Sequence, residues 1–343
     1  MVLPLGAQAA SASPELTRQL DAVVSARPFT GAVLITQGDS VLYRAVQGKA
    51  GDRALTPDSQ FVIASLSKQM TAALVLREVD AGRLRLDTPL KRYLPALQEE
   101  WAGEVQLKHL LSHTSGITAL DQPLRTRPGE AFAYSNLGYE LLGQTVERTS
   151  GKPFAALMAA LFKRCGMSHS AAPPSGSFAE LQQRFPLLVP GFSEQQDGTL
   201  KQEEGRREAS ANPSGGMLST VGDLARWNTC LHEGKLLKAA TYQAMVRPAP
   251  GAKRAYRWGP LEYGYGLQVS EHDGILEFSH CGYVPGYIAT LLYYPRFQVS
   301  VAVLENTAWL PDNMDRIFQV HDALRRLSRA SLVGGPAAEV STP

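Results

Sequence analysis

Ser65 and Lys68 stand three residues apart, where an apolar, strand-like run over residues 61–64 gives way to helical periodicity. A serine hydroxyl at its ordinary acidity is a weak nucleophile. An ammonium one helical turn away can take its proton once it is held neutral, and helix positions i and i+3 share a face about 5–6 Å apart. A free lysine titrates near 10.4, so acting as a base near neutrality asks its pKa to fall by about 3, roughly 4 kcal/mol. Burial and a neighbouring cation can supply that much. If Ser65 opens the helix, its N–H is one of the unpaired donors there, and the helix dipole favours an anion beside it. The same spacing also fits an N-cap serine followed by a solvated lysine.

Two further segments carry reactive types. Tyr134-Ser135-Asn136 precedes a helical stretch. A tyrosine can relay a proton if a nearby cation lowers its pKa of about 10, and an asparagine amide can hold a carbonyl or an ammonium. The plainer alternative is a packed tyrosine and a helix-capping asparagine. His280-Cys281-Gly282 ends a strand-like run. A strand edge offers a backbone N–H to a developing oxyanion, and glycine lets a substrate approach closely. His280 can act as a cation, a donor or a second base, or be structural.

The elements that must position these residues follow from periodicity. Helical patterns cover residues 14–27, 65–78, 107–112, 136–149, 154–163, 221–231, 238–245 and 312–327. The 107–112 helix has Gly116 near its C-cap. Strand-like runs cover 31–36, 40–46, 264–270, 275–279, 287–294 and 299–304, with hairpin signals at Gly38-Asp39 and His272-Asp273-Gly274. Residues 171–213 and 246–262 read as loops, the former with strand pieces. Strands at both ends with helices between them predict an α/β fold: an antiparallel sheet flanked by helices, plus an inserted, mostly helical lobe. The expected division is 14–64 with 205–330 for the sheet lobe, 65–204 for the helical lobe, and disordered tails at 1–13 and 331–343. A cleft between lobes is a natural ligand site.

Composition excludes several classes. A formal net charge of +2 offers no attraction for nucleic acid or an anionic membrane. No apolar run approaches the roughly 20 residues that span a bilayer. Cys165, Cys230 and Cys281 have no metal-like spacing, and at most one disulfide is possible. Cys230, in an amphipathic helix, reads most simply as a small core hydrophobe. Residues 2–12 fit either the tail of a trimmed secretory signal or an Ala/Ser-rich end. The first implies a periplasmic or secreted protein; the second leaves a cytoplasmic one open.

Together the three segments are far more specific than any one. In their order and spacing the chain resembles the penicillin-recognising serine hydrolases. It is most similar to the branch of class C β-lactamases, D-alanyl-D-alanine carboxypeptidases, D-aminopeptidases and β-lactamase-like carboxylesterases. The stretches Leu107–Ile117, Pro128-Gly129, Tyr134–Tyr139, Gly215–Thr220 with Asp223-Leu224, and Gly286-Tyr287 support the resemblance, which covers roughly residues 15–328. It implies the β-lactamase/transpeptidase-like α/β fold and acylation of Ser65. It implies that Lys68 and Tyr134 share the acid and base work and that Asn136 orients substrate. The N–H groups of Ser65 and Tyr283 would form the oxyanion hole, Tyr283 following the His280–Gly282 motif. Neither metal nor organic cofactor is implied. The expected partner is a small ester, amide or short peptide.

One departure bears on substrate. The family's β-lactamases carry Lys-Thr/Ser-Gly as third motif, whose lysine and hydroxyl attract the lactam carboxylate. His280 and Cys281 replace them, and a mostly neutral imidazole and a thiol hold an anion less well. Carboxylesterase or D-amino-acid peptidase activity is therefore expected ahead of β-lactamase activity; a slowly acylating penicillin-binding or scaffold protein is the other alternative.

Competing patterns are weaker. His109 and His113 stand at i and i+4, but Leu110 occupies the place where a zinc protease needs glutamate. Ser67 points about 200° from Ser65 on a helix. No Gly-x-Ser-x-Gly elbow occurs. Trp258, Trp309, Tyr263 and Tyr283 fit an acyl pocket or the core.

Overall fold

The computed structural model describes residues 12–333 apart from 27, 51, 52 and 311. Of the expected tails, 1–11 and 334–343 lie outside the described residues, as does most of the segment read as a trimmed signal. Residues 331–333 are not tail but the last turn of a helix.

The helices that frame the sheet and the Ser65 region are α1 (Pro14–Ser25), α2 (Ser67–Asp80), α3 (Leu107–Leu111), α4 (Asn136–Ser150), α5 (Phe154–Arg164), α6 (Phe178–Arg184), α7 (Val221–His232), α8 (Ala239–Val246) and α9 (Gln319–Val333). Their starts are written in side chains. The Ser13 hydroxyl accepts the Leu16 N–H, with Pro14 opening α1. The Ser135 hydroxyl accepts from Gly138 N–H at the head of α4. A capping box of Ser177 and Glu180 opens α6, inside the stretch read as loop. The closing helical pattern is broken, with a short turn over Met314–Ile317 before α9.

Eight strands form one sheet: β1 (Gly31–Gln37), β2 (Ser40–Gln47), β3 (Lys253–Tyr256), β4 (Gly259–Tyr263), β5 (Gln268–His272), β6 (Ile275–Val284), β7 (Tyr287–Tyr294) and β8 (Val299–Glu305). Their order is β2-β1-β8-β7-β6-β5-β4-β3, antiparallel throughout. The fold class is thus α/β with an antiparallel sheet. Asp273 and Gly274 both have positive φ (52° and 71°), as a type I′ turn between β5 and β6 requires. The β3–β4 hairpin was unexpected: its loop, Arg257-Trp258, lacks the usual turn residues. The strand expected from 264 starts at 268, because Gly264–Gly266 form a turn against the end of α8. There Tyr265 N–H bonds Met245 O at 2.8 Å.

Both faces of the sheet centre are covered, which is why β1 and β8 read as apolar runs rather than alternating ones. Ala32, Leu34, Ala302 and Leu304 face the larger core with α2, α4 and α7. Val33, Ile35, Val301 and Val303 face α1 and α9 through Leu20, Val24, Val320 and Leu324. Helix α9 is also tied to the sheet by charge: Arg325 bonds Glu277 of β6 at 2.9 Å, and Arg257 bonds Asp322 at 2.8 Å.

Cys230 is not a free core thiol. It forms a disulfide with Cys165, joining α7 to the end of α5 across 65 residues. The docking that brings them together lies beyond local sequence signals. Closing a loop of that length is worth about 4 kcal/mol in a chain-entropy account, less any strain. We expect Cys165→Ser with Cys230→Ser, or reduction with dithiothreitol, to lower stability by about 2–4 kcal/mol. Thermal melts that coincide with and without reductant would contradict this.

Candidate active site

A short antiparallel pairing, Phe61–Val62 with Leu218–Ser219, leads the chain into the site. Ala64 has a positive φ of 47°, and Ala64–Leu66 make one 3-10 turn before α2 begins at Ser67. Ser65 therefore lies in the tight turn ahead of the α-helix. Helix α2 is enclosed on nearly every side, so Lys68 points into protein, fully buried.

The Lys68 ammonium meets three oxygens: Ser65 Oγ at 3.3 Å, Asn136 Oδ1 at 2.8 Å and the Ser214 carbonyl at 2.5 Å. Three N–H donors match three acceptors. Burial pulls its pKa down to about 7, partly opposed by the Glu140 carboxylate. Glu140 is linked to the same network, accepting from Ser214 Oγ at 3.1 Å. On losing a proton, Lys68 keeps two N–H bonds for Asn136 and Ser214 and gains a lone pair for Ser65.

Tyr134 OH donates to Ser65 Oγ at 2.8 Å. Burial raises its pKa to about 12, although the Ser65 bond and the Arg254 charge pull the other way. A cation that lowers the tyrosine was the sequence expectation; Arg254 does so, but burial outweighs it. Tyr134 is thus a protonated donor near neutrality, and Lys68 is the group poised between states. Tyr134 is nonetheless partly exposed and lines the cleft, and Asn136, first residue of α4, holds Lys68.

His280-Cys281-Gly282 lies within β6, not at its end. Pairing with β5 stops at Ser279, whereas pairing with β7 continues to Val284. Residues 280–284 therefore have one edge free of β5, with His280, Cys281 and Tyr283 lining the cleft, while the face of the strand at Gly282 packs on the Ser65 turn. A Cβ at Gly282 would lie 2.7 Å from Ser65 N and 2.9 Å from Ile63 O, so only glycine allows this approach. His280 is buried and bonded at both nitrogens, Nε2 with Tyr263 OH and Nδ1 with Cys281 O, each at 2.8 Å. Burial, then Lys68 and Arg254, hold its pKa at about 3. It is a neutral strut rather than a cation.

A cleft of about 730 Å³ opens over Ser65, walled by Tyr134, Tyr283, Arg254, Tyr256 and Phe318. Of the four aromatics considered from sequence, Tyr283 lines it. Tyr263 and Trp309 are buried, and Trp258 packs on Arg257 and Arg325. Sequence reasoning missed Arg254 and Tyr256, whose only local cue is Gly259 closing an unusual hairpin. It also missed Ser214 and Glu140, which bear on Lys68 only after folding. Ser67 Oγ accepts Met217 N–H at 3.3 Å, away from the cleft. His109 and His113 each accept a backbone N–H, from Gln106 and Ser135.

A serine held by a tyrosine and a buried lysine under a strand edge can form and release an acyl-enzyme. A family model described as Beta-lactamase matches residues 19–325. The chain belongs to the beta-lactamase family. Penicillin-binding protein 4 of Amycolatopsis lactamdurans is 28% identical over 326 residues, covering 84% of each chain. Esterase EstB of Burkholderia gladioli is 33% identical over 194 residues, 45% of this chain and 49% of its own length. The D-amino acid amidase of Ochrobactrum anthropi SV3 superposes with a TM-score of 0.77 at 19% identity, covering 93% of this chain and 99% of the amidase. That last likeness is one of fold.

Gly282→Ala is expected to push β6 off the Ser65 turn. Labelling of Ser65 by a serine-directed phosphonate should slow by at least about tenfold, with roughly 1–3 kcal/mol of lost stability; wild-type labelling would show that the close approach is dispensable. Glu140 favours the ammonium, so Glu140→Gln should lower the Lys68 pKa further. With Lys68 as the base, the labelling rate is expected to have an acid limb near about 7, and that limb should then move to lower pH. A limb that stays or rises would remove Glu140 from the network.

Proposed function

We propose that this family member is a serine acyl hydrolase for small ester, amide or short-peptide substrates, with Ser65 as the acylated nucleophile. The observation that carries the reading is the pair of contacts on Ser65 Oγ, from Tyr134 OH at 2.8 Å and Lys68 Nζ at 3.3 Å, with burial bringing the Lys68 pKa down to about 7. Neutral Lys68 takes the Ser65 proton as Oγ attacks the carbonyl carbon. The N–H groups of Ser65 and Tyr283 hold the oxyanion, with Asn136 orienting the substrate. As the intermediate collapses, Tyr134 gives its proton to the leaving oxygen or nitrogen and is reprotonated from Lys68. Water then attacks the acyl-enzyme while the same pair runs in reverse, returning the proton to Ser65. Every proton has a named carrier.

His280 and Cys281 place no cation where the β-lactamases of the family have a lysine, which favours esterase or D-amino-acid peptidase activity. The resemblance over part of the chain to an esterase supports the first. A second reading, hydrolysis of carboxylate-bearing substrates such as β-lactams, draws on Arg254. It lines the cleft, its guanidinium stacked 4.4 Å from the Tyr256 ring and 5.3 Å from Phe132. Its neighbours Lys253 and Arg257 are ion-paired, whereas Arg254 has no carboxylate partner among the described residues. The two-lobe division is part of the proposal: Ser65, Lys68 and Tyr134 come from 65–204, and Gly282, Tyr283 and Arg254 from 205–330. The disulfide supports a periplasmic or secreted location.

A panel of p-nitrophenyl esters, D-alanyl peptides and a chromogenic cephalosporin tests the reading. We expect ester or D-alanyl turnover to exceed cephalosporin turnover, loss of all turnover in Ser65→Ala, and a fall of about 10²–10⁴-fold in Lys68→Ala and Tyr134→Phe. Turnover surviving Ser65→Ala would sink the mechanism. Rapid cephalosporin hydrolysis would reverse the substrate preference alone.

A further inference from the structure

His113 is singled out by its surroundings and has no part in the chemistry above. It is buried, and it is the residue after α3's C-cap that takes the left-handed conformation, at φ 57°. The sequence offered Gly116 for that place. A side chain that is not glycine in this conformation is uncommon and is held there by its surroundings.

Those surroundings converge on Tyr134. The His113 carbonyl accepts the Ala133 N–H at 2.7 Å, and His113 Nδ1 accepts the Ser135 N–H at 3.1 Å. The imidazole lies against the Tyr134 ring, centroids 4.2 Å apart and planes tilted by 33°. One residue thus grips the backbone on both sides of Tyr134 and the ring between. Phe132, Tyr139 and Tyr263 close around the imidazole at 5.6, 5.0 and 5.0 Å. Because Nδ1 accepts, the ring proton sits on Nε2, which is buried and has no hydrogen-bond partner in the protein. The grip therefore needs a neutral imidazole; burial above all, and then the facing cations Lys68 and Arg254, disfavour a second proton.

We infer that His113 is a positioning residue for Tyr134, acting through the two backbone bonds and the ring contact to aim the phenol at Ser65. This rests on the proton-transfer role proposed for Tyr134. The left-handed backbone is what lets carbonyl and imidazole reach the same dipeptide from one side.

His113→Phe keeps a ring and removes the Nδ1 acceptor; His113→Asn tolerates the left-handed φ and removes the ring. Rates are normalised to active sites titrated with a phosphonate, so misfolded protein does not count. Each variant is expected to lower kcat for a p-nitrophenyl ester by about 10–100-fold with KM within about twofold, since small misplacements of a reacting group cost that much. The deciding measurement is a double-mutant cycle. In a Tyr134→Phe background, His113→Phe should cost less than about twofold. An equal loss in both backgrounds would overturn the positioning role in favour of a general structural one, as would two variants that both fail to fold. A wild-type rate in Tyr134→Phe alone would instead strike down the role of Tyr134 itself.

Discussion

A fully buried amine is the constraint around which this chain is arranged. Lys68 cannot be charged in that place without oxygen partners, and it cannot act as a base without losing most of its affinity for protons. The structure meets both demands with neutral or carbonyl oxygens rather than a carboxylate in direct contact. Asn136 and the Ser214 carbonyl accept N–H bonds in either protonation state, and Glu140 stands off, accepting from the Ser214 hydroxyl rather than from the amine. A carboxylate touching the nitrogen would have fixed the ammonium. Each partner comes from a different segment, so the site exists only when α2, α4 and the 212–216 turn are docked together.

How much of this the sequence disclosed divides by range. Ser65, Lys68, Tyr134, Asn136 and Gly282 were legible because short spacings constrain them, and most helices and strands were legible from periodicity and caps. The α6 capping box was readable in Ser177 and Glu180 but lay inside a Pro- and Gly-rich stretch that masked it. The β3–β4 hairpin lacks Asn-Gly or Asp-Gly and so left no turn signal, which hid Arg254. Ser214, Glu140, His113 and the disulfide act across distances that only tertiary packing creates. The reading of His280 as a possible cation failed for the same reason: its environment is set by Tyr263 and Lys68, far away in sequence.

The sheet contributes more than support. Because β6 outruns β5, its last residues keep one edge free beside the cleft, and its face meets the turn carrying Ser65 with room for a hydrogen atom and no more at Gly282. Ion pairs from α9 hold β6 and the β3–β4 hairpin from behind. Arg325 on Glu277 is almost entirely enclosed, an arrangement whose desolvation cost is repaid by geometry rather than strength.

The pairing of β1 with β8 joins residue 31 to residue 305, and β8 in turn holds β7 against β6. The sheet is therefore closed by pairing two segments about 270 residues apart in sequence. Contacts of such sequence separation form late, because the loop must close before the pairing rewards it. The helices between can gather locally, but the strand edge that shapes the pocket over Ser65 waits for the final third of the chain. A polypeptide still being synthesised carries Ser65 and Lys68 before the strand that packs on their turn, so the cleft takes shape only with completion of the sheet.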